Sequence, residues 1–157
     1  MTRLSRRELL GGAAALALFA PRARAADYAS ASEALAAIEG FEAEVDGYLQ
    51  RLRSSVPAAR AMLDGFRRDR ERHHRRRARV RRRLGLPPAQ VAPAGEAGVA
   101  PLPALREAQS RLVYAHAEAL PTLNDSVSVA LLLGDLVDLA RHLTVIDLWI
   151  EAEDARA

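Results

Sequence analysis

Eleven of the chain's 23 arginines fall in one run of seventeen residues, Arg67 to Arg83. With Leu84 the stretch reads RRDRERHHRRRARVRRRL, and it reads as the second half of a long helix. Positive charge in the last turns of a helix interacts favourably with the helix dipole. Gly85 is placed to stop the helix, and Pro87 and Pro88 lie just beyond it. Two readings compete for this run. In one it is a basic surface for something acidic. In the other arginine solvates the outer face, while Glu71 or the adjacent His73 and His74 turn inward toward a metal or a polar core.

The rest of the chain limits what that helix belongs to. A length of 157 residues fits one domain plus a processed segment. Hydrophobic residues make up 50% of the chain and aromatics only 4%, so the core is built of Leu, Val and Ala, which points to helices. No cysteine is present, which excludes disulfides and thiolate metal sites. Any metal must then be held by His, Asp and Glu. Every basic residue is Arg and none is Lys, which we read as base composition.

Residues 1–25 read as an address. Ser5-Arg6-Arg7-Glu8-Leu9-Leu10 resembles the twin-arginine export motif, with Arg6 and Arg7 as its pair. A short apolar run follows to Ala20, then Pro21, and Ala23-Arg24-Ala25 supplies a small-x-small pattern that predicts cleavage after Ala25. The run is too short to span a bilayer. An ordinary secretion signal with a chance arginine pair is the alternative. Either way the expected location is outside the cytoplasm, in the periplasm. This segment carries +4, so its loss takes the formal charge from +3 to −1. The remaining chain is near neutral, with +9 concentrated between Arg67 and Arg83.

Four helices are predicted: 32–54, 57–84, 103–120 and 126–154. In the first, Ser30 and Glu33 fit a capping box. Ile38, Phe41, Val45, Tyr48 and Leu52 recur three and four apart, and Ile38, Glu42, Val45, Leu49 and Leu52 share one face. In the second, Ser55 can cap and Pro57 suits the first turn. Its inner stripe is apolar at both ends and polar in the middle, and its phase favours His73 inward over His74. The third carries Leu105, Leu112, His116 and Leu120 on one stripe and Glu107, Arg111, Tyr114 and Glu118 on the next. Asn124 or Asp125 caps the fourth. That helix is apolar over more than half its circumference, which predicts contact with several helices or with another subunit.

Residues 85–103 form a loop rich in Pro, Ala and Gly. Fully extended, it reaches roughly 60 Å, against roughly 40 Å for a helix of about 27 residues. It can therefore cross the whole bundle and start the third helix at the end where the second began. The expected fold class is all-α: a four-helix bundle of two antiparallel hairpins joined by a long crossover.

That connectivity resembles the ferritin-like four-helix bundle. The resemblance implies two metals, held by a Glu from the first and third helices and by Glu-x-x-His from the second and fourth. It implies Glu42, then Glu71 with His74, then Glu118 as ligands. The fourth helix lacks the motif and offers Asp138 and His142 instead. The implied metal is iron or manganese. Against this stand simpler readings: Glu42 paired with an arginine, an Asp138–His142 hydrogen bond one turn apart, and His116 as a hydrogen-bonded core histidine.

Two functions remain open. One is an exported ferritin-like protein that binds iron or manganese, or a member of that fold that has lost its metal. The other is a non-catalytic bundle that uses Arg67–Arg83 to dock an acidic protein, an anionic membrane surface or the acidic ends of another subunit. Nucleic acid is not expected, because no aromatics interleave with the arginines to stack bases. No catalytic motif stands out, so an enzymatic role has no residues to rest on.

Overall fold

The computed structural model describes residues 28–89 and 102–156; the predicted export segment and its cleavage site lie outside them. The described residues are helical and contain no strand. Helix α1 is Ala31–Ser55, α2 Arg60–Arg83, α3 Leu102–Ala119 and α4 Ser126–Asp154.

The ends of these helices follow local chemistry. Ser30 Oγ accepts from the Glu33 amide at 3.2 Å, as the capping box predicts. The return bond falls one residue early: Glu33 accepts from the Ala29 amide at 2.9 Å. Ser55 does not cap the second helix. It closes α1, with its hydroxyl donating to the Arg51 carbonyl at 3.0 Å. Pro57–Ala59 then form a 3-10 turn, which delays the start of α2 to Arg60. A second 3-10 turn, Leu120–Thr122, follows α3 around Pro121. Asp125 caps α4, accepting from the Val127 and Ser128 amides at 3.1 and 3.0 Å.

Helix α2 stops at Gly85, as its position predicts. Gly85 has φ +67°, and the Leu86 amide donates back to the Arg81 carbonyl at 2.9 Å while the Gly85 amide donates to Arg82 at 3.3 Å. This paired closure is the Schellman motif, which favours glycine because a Cβ is strained in the left-handed region.

The four helices pack around one core, with Leu35, Ile38 and Val45 from α1, Leu63 and Val80 from α2, Leu105 and Leu112 from α3, and Leu132, Leu139 and Ile146 from α4. Helix α3 packs extensively on α1 and α4; α2 packs on α4 and only thinly on α1. Side-chain pairs fix direction. Between α1 and α2, Glu39 meets Arg81, Glu42 meets Arg77 and Arg53 meets Asp64, so rising numbers meet falling ones. Between α2 and α4, Asp69 meets His142, His73 meets Asp138 and Arg83 meets Asp125. Between α3 and α4, Arg106 meets Asp147 and Gln109 meets the Leu139 carbonyl. Each of these three pairs is antiparallel. No described helix is long and apolar enough to cross a membrane.

Two glycines separate backbone strain from helix propensity. Gly85→Ala is expected to lose about 1 kcal/mol by forcing a Cβ into the left-handed region. Gly40→Ala, in mid-helix with no atom within 4 Å of the new Cβ, is expected to gain roughly 0.5–1 kcal/mol. Shifts of opposite sign in the urea unfolding midpoint check both.

Candidate functional site

Apolar residues at Leu63, Phe66 and Val80 fix the phase of α2, and that phase carries polar residues inward between them. Arg70, His73, Arg77 and Arg81 are all buried. His73 is fully buried and His74 is exposed, as the periodicity favours. The arginine run is thus divided. Arg70, Arg77 and Arg81 turn toward α1. Arg72 and Arg76 turn toward α4, where they pair with Asp138 and Asp135. Arg67, Arg68, Arg75, Arg79, Arg82 and Arg83 stay exposed.

On the α1 side, buried Glu42 forms ion pairs with both Arg77 and Arg70, and Arg70 also reaches Asp46. Arg81 holds Glu39 through two bonds of 2.7 Å and donates to the Pro87 carbonyl at 3.0 Å, which ties the segment after α2 to α1. Arg77 is 1% exposed. Burial lowers its guanidinium to about 10, with Asp135 and Glu39 opposing, so it stays charged at neutral pH. Breaking a buried pair leaves an uncompensated charge in the interior, which is the costly event.

On the α2–α4 side two Asp–His pairs cross. His142 Nε2 lies 2.8 Å from Asp69, and His73 Nε2 lies 3.3 Å from Asp138. Each histidine therefore uses the aspartate of the other helix. The expected Asp138–His142 bond within α4 is not made; the acid of the facing helix lies closer to the ring nitrogen. The same spacing occurs on both helices, Asp69-x-x-Arg72-His73 and Asp138-x-x-Arg141-His142. Arg72 and Arg141 each contact both aspartates. The two rings sit 6.3 Å apart, and Phe66 stacks on His142 at 4.1 Å. Arg76 completes the cluster, reaching the fully buried Asp135 at 2.8 Å across the bare surface of Gly134.

Burial sets the titration. It lowers His73 to about 4 against the pull of Asp138, and it lowers His142 against Asp69. Asp135 is raised to about 6 by burial, with Arg76 and Arg77 opposing. Burial also pushes the Asp69 carboxyl up, but His142 and Arg72 outweigh it and hold the group below its ordinary range. On α3, burial with the charge of Arg77 lowers His116 to about 3. Its Nδ1 donates to the Leu112 carbonyl at 2.9 Å, and its Nε2 has no partner among the described residues. At neutral pH all three rings are neutral.

The six residues implied as metal ligands do not come together. Glu42 is buried between two guanidinium groups. Glu71 is exposed and paired with Arg67, and His74 is exposed. These three line one groove of about 800 Å³ along α1 and α2, but its carboxylates Glu39, Glu42, Asp46 and Glu71 each have an arginine partner. Glu118 is half-buried on α3, and its charge is felt by Tyr28. Asp138 and His142 are committed to α2. Among the described residues no three His, Asp or Glu side chains are arranged to hold a metal ion. As placed, these residues do not fit a pair of metals. The helix phase already puts Asp69 or Arg70, and Arg77, on the inner stripe of the second helix; sequence reasoning missed Gln109, Arg81 and the partners of Asp69 and Asp135, for which the repeated Asp-x-x-Arg-His was the available signal.

Comparison with protein-family models, with curated proteins and with solved structures gave no match.

Acid is expected to weaken the fold. Because His73, His116 and His142 have folded values below the ordinary 6.5, the unfolded chain takes up protons first, and stability falls from pH 6.5 toward 4. Asp135 opposes this between about 6 and 3.8, because its folded value is raised. His116→Leu should flatten the fall between pH 7 and 5 by about 2 kcal/mol, read from unfolding free energies. Glu42→Ala should cost about 3–5 kcal/mol at pH 7, because two guanidinium groups lose their buried counter-charge.

Proposed function

We propose that this chain is an exported, non-catalytic bundle of ferritin-like connectivity in which ion pairs stand where that fold carries metal, and that it acts through an exposed arginine stripe. The export reading rests on the sequence of residues 1–25. The connectivity is supported by pair order: α1 opposes α2, α2 opposes α4 and α4 opposes α3, so α2 and α3 run the same way, as that connectivity requires. Loss of metal is supported by Glu42, whose carboxylate is neutralised by Arg70 and Arg77.

The observation that carries the function is the stripe itself. Arg68, Arg75, Arg79 and Arg82 are exposed, and none forms an ion pair among the described residues. They recur at seven, four and three residues and so share one outer face of α2. The inward arginines are neutralised by Glu39, Glu42, Asp46, Asp69, Asp135 and Asp138. The four outward ones are left to face solvent, as a row about 20 Å long at 1.5 Å per residue. A row of fixed cations attracts an anionic surface and speeds its association in a salt-sensitive way.

The test replaces Arg68, Arg75, Arg79 and Arg82 with Gln. Binding to vesicles containing phosphatidylglycerol, and separately to an acidic polypeptide such as poly-glutamate, should fall at least tenfold at low salt, since each exposed cation near an anionic surface contributes about 1 kcal/mol. Unchanged binding to both would overturn the docking reading. Metal at one or more equivalents per chain, measured on protein purified from its native compartment, would overturn the metal-free reading.

A further inference from the structure

Helix α4 leaves an apolar seam facing outward. Val127 is 38% exposed, Val137 46% and Leu148 59%. Ala130, Arg141, Thr144 and Glu151 are exposed beside them, and Gly134 is half-buried. These residues, 127, 130, 134, 137, 141, 144, 148 and 151, alternate three and four apart without a break. That spacing is the seam of a left-handed helix pair, in which every position faces one partner helix. The inner face of α4 follows a different set, through Leu132, Leu139 and Ile146, and is spent on the core. Gly134 and Arg141 border α2 through Arg76 and Asp69, but the apolar members Val127, Val137 and Leu148 lie outside the core cluster.

The charges flanking the seam indicate the occupant. At one end α4 finishes with exposed Glu151, Glu153 and Asp154. At the other end, the Arg83–Asp125 pair places the last turn of α2 beside the start of α4, and Arg79, Arg82 and Arg83 are exposed there. A helix that matches both must be apolar along the seam, acidic where this chain is basic and basic where this chain is acidic. α4 of a second copy, running antiparallel with the end of its own α2 beside it, meets all three conditions.

We propose that α4 pairs with α4 of a second copy about a twofold axis near Val137. Leu148 of each copy then lies beside Val127 of the other, and each Glu151 reaches the level of Arg83. Arg141 sits off the axis with its guanidinium held by Asp69 and Asp138, so its charge is already matched within its own copy. This rests on the docking reading in one respect: the acidic partner for the far end of the arginine stripe is the α4 terminus of a second copy. Arg68 and Arg75, earlier on α2, remain outside the pair.

The absence of cysteine makes the test direct. Single substitutions Val137→Cys, Leu148→Cys and Val127→Cys are made in the full chain and oxidised. Val137→Cys should link to itself. Leu148→Cys should not, because its two copies lie about 30 Å apart at 1.5 Å per residue; it should link to Val127→Cys when the two proteins are mixed. Sedimentation equilibrium should show a dimer for the unmodified chain, and a monomer with unchanged helical circular dichroism for Val137→Glu with Leu148→Glu. A monomeric unmodified chain, self-linking of Leu148→Cys, or a dimer that survives the double substitution would overturn the proposal. The docking reading is separable: the double-Glu monomer should keep its binding to anionic vesicles, whereas the Gln replacement of Arg68, Arg75, Arg79 and Arg82 should lose it. If the double-Glu chain loses vesicle binding and the unmodified chain is monomeric, the seam meets lipid and the dimer is refuted.

Discussion

The ion pairing of Glu42 with Arg77 and Arg70 is the interaction on which the rest depends. The inner stripe of α2 brings three arginines and a histidine into the bundle, and no apolar packing can compensate an isolated buried charge. Glu42 from α1 answers two of these arginines, Glu39 answers the third, and aspartates from α4 answer the histidine and the flanking arginines. The answers come from two helices, so the charges on α2 can be matched only when α1 and α4 are both in place. Assembly of the bundle and neutralisation of its interior are therefore one event. The arrangement also explains why α2 tolerates thin packing on α1: the contact is made by long paired side chains rather than by close backbone approach.

Much of the fold was legible in the sequence. The four helices follow from apolar spacing, and their ends from Ser30, Gly85, Pro121 and Asp125, all of which act as capping or stop signals should. The start of α2 was misread because a Ser-x-Pro stretch fits both a helix cap and a short 3-10 turn. Inward placement of Glu42 and His73 was also legible, since the phase of a helix is fixed by its apolar neighbours. The partners were not. Periodicity gives the face on which a residue lies, but it does not say which acid on another helix stands opposite. Asp138 and His142, one turn apart, satisfy the rule for a bond within a helix, yet each is taken by α2. Glu71 and His74 have ligand spacing but the wrong phase, and phase decides.

The division of the arginine run has its own logic. A run of charge in a helix is usually a solvated face, but here the inner members hold the bundle, while the outer Arg68, Arg75, Arg79 and Arg82 form no ion pair among the described residues. Composition alone would assign the whole run one role. The assignment turns on rotation about the helix axis, so adjacent Arg75, Arg76 and Arg77 have three environments: open solvent, the α4 side and the buried α1 side.

The crossed Asp–His pairs set the alignment of two helices along their length. Asp69 and His73 are one turn apart, as are Asp138 and His142, and the helices run in opposite directions. A slip of α2 by one turn against α4 one way brings Asp69 opposite Asp138; a slip the other way brings His73 opposite His142. Either error sets like against like. The repeated spacing thus works as a vernier: only one setting of the two helices matches every acid with a ring.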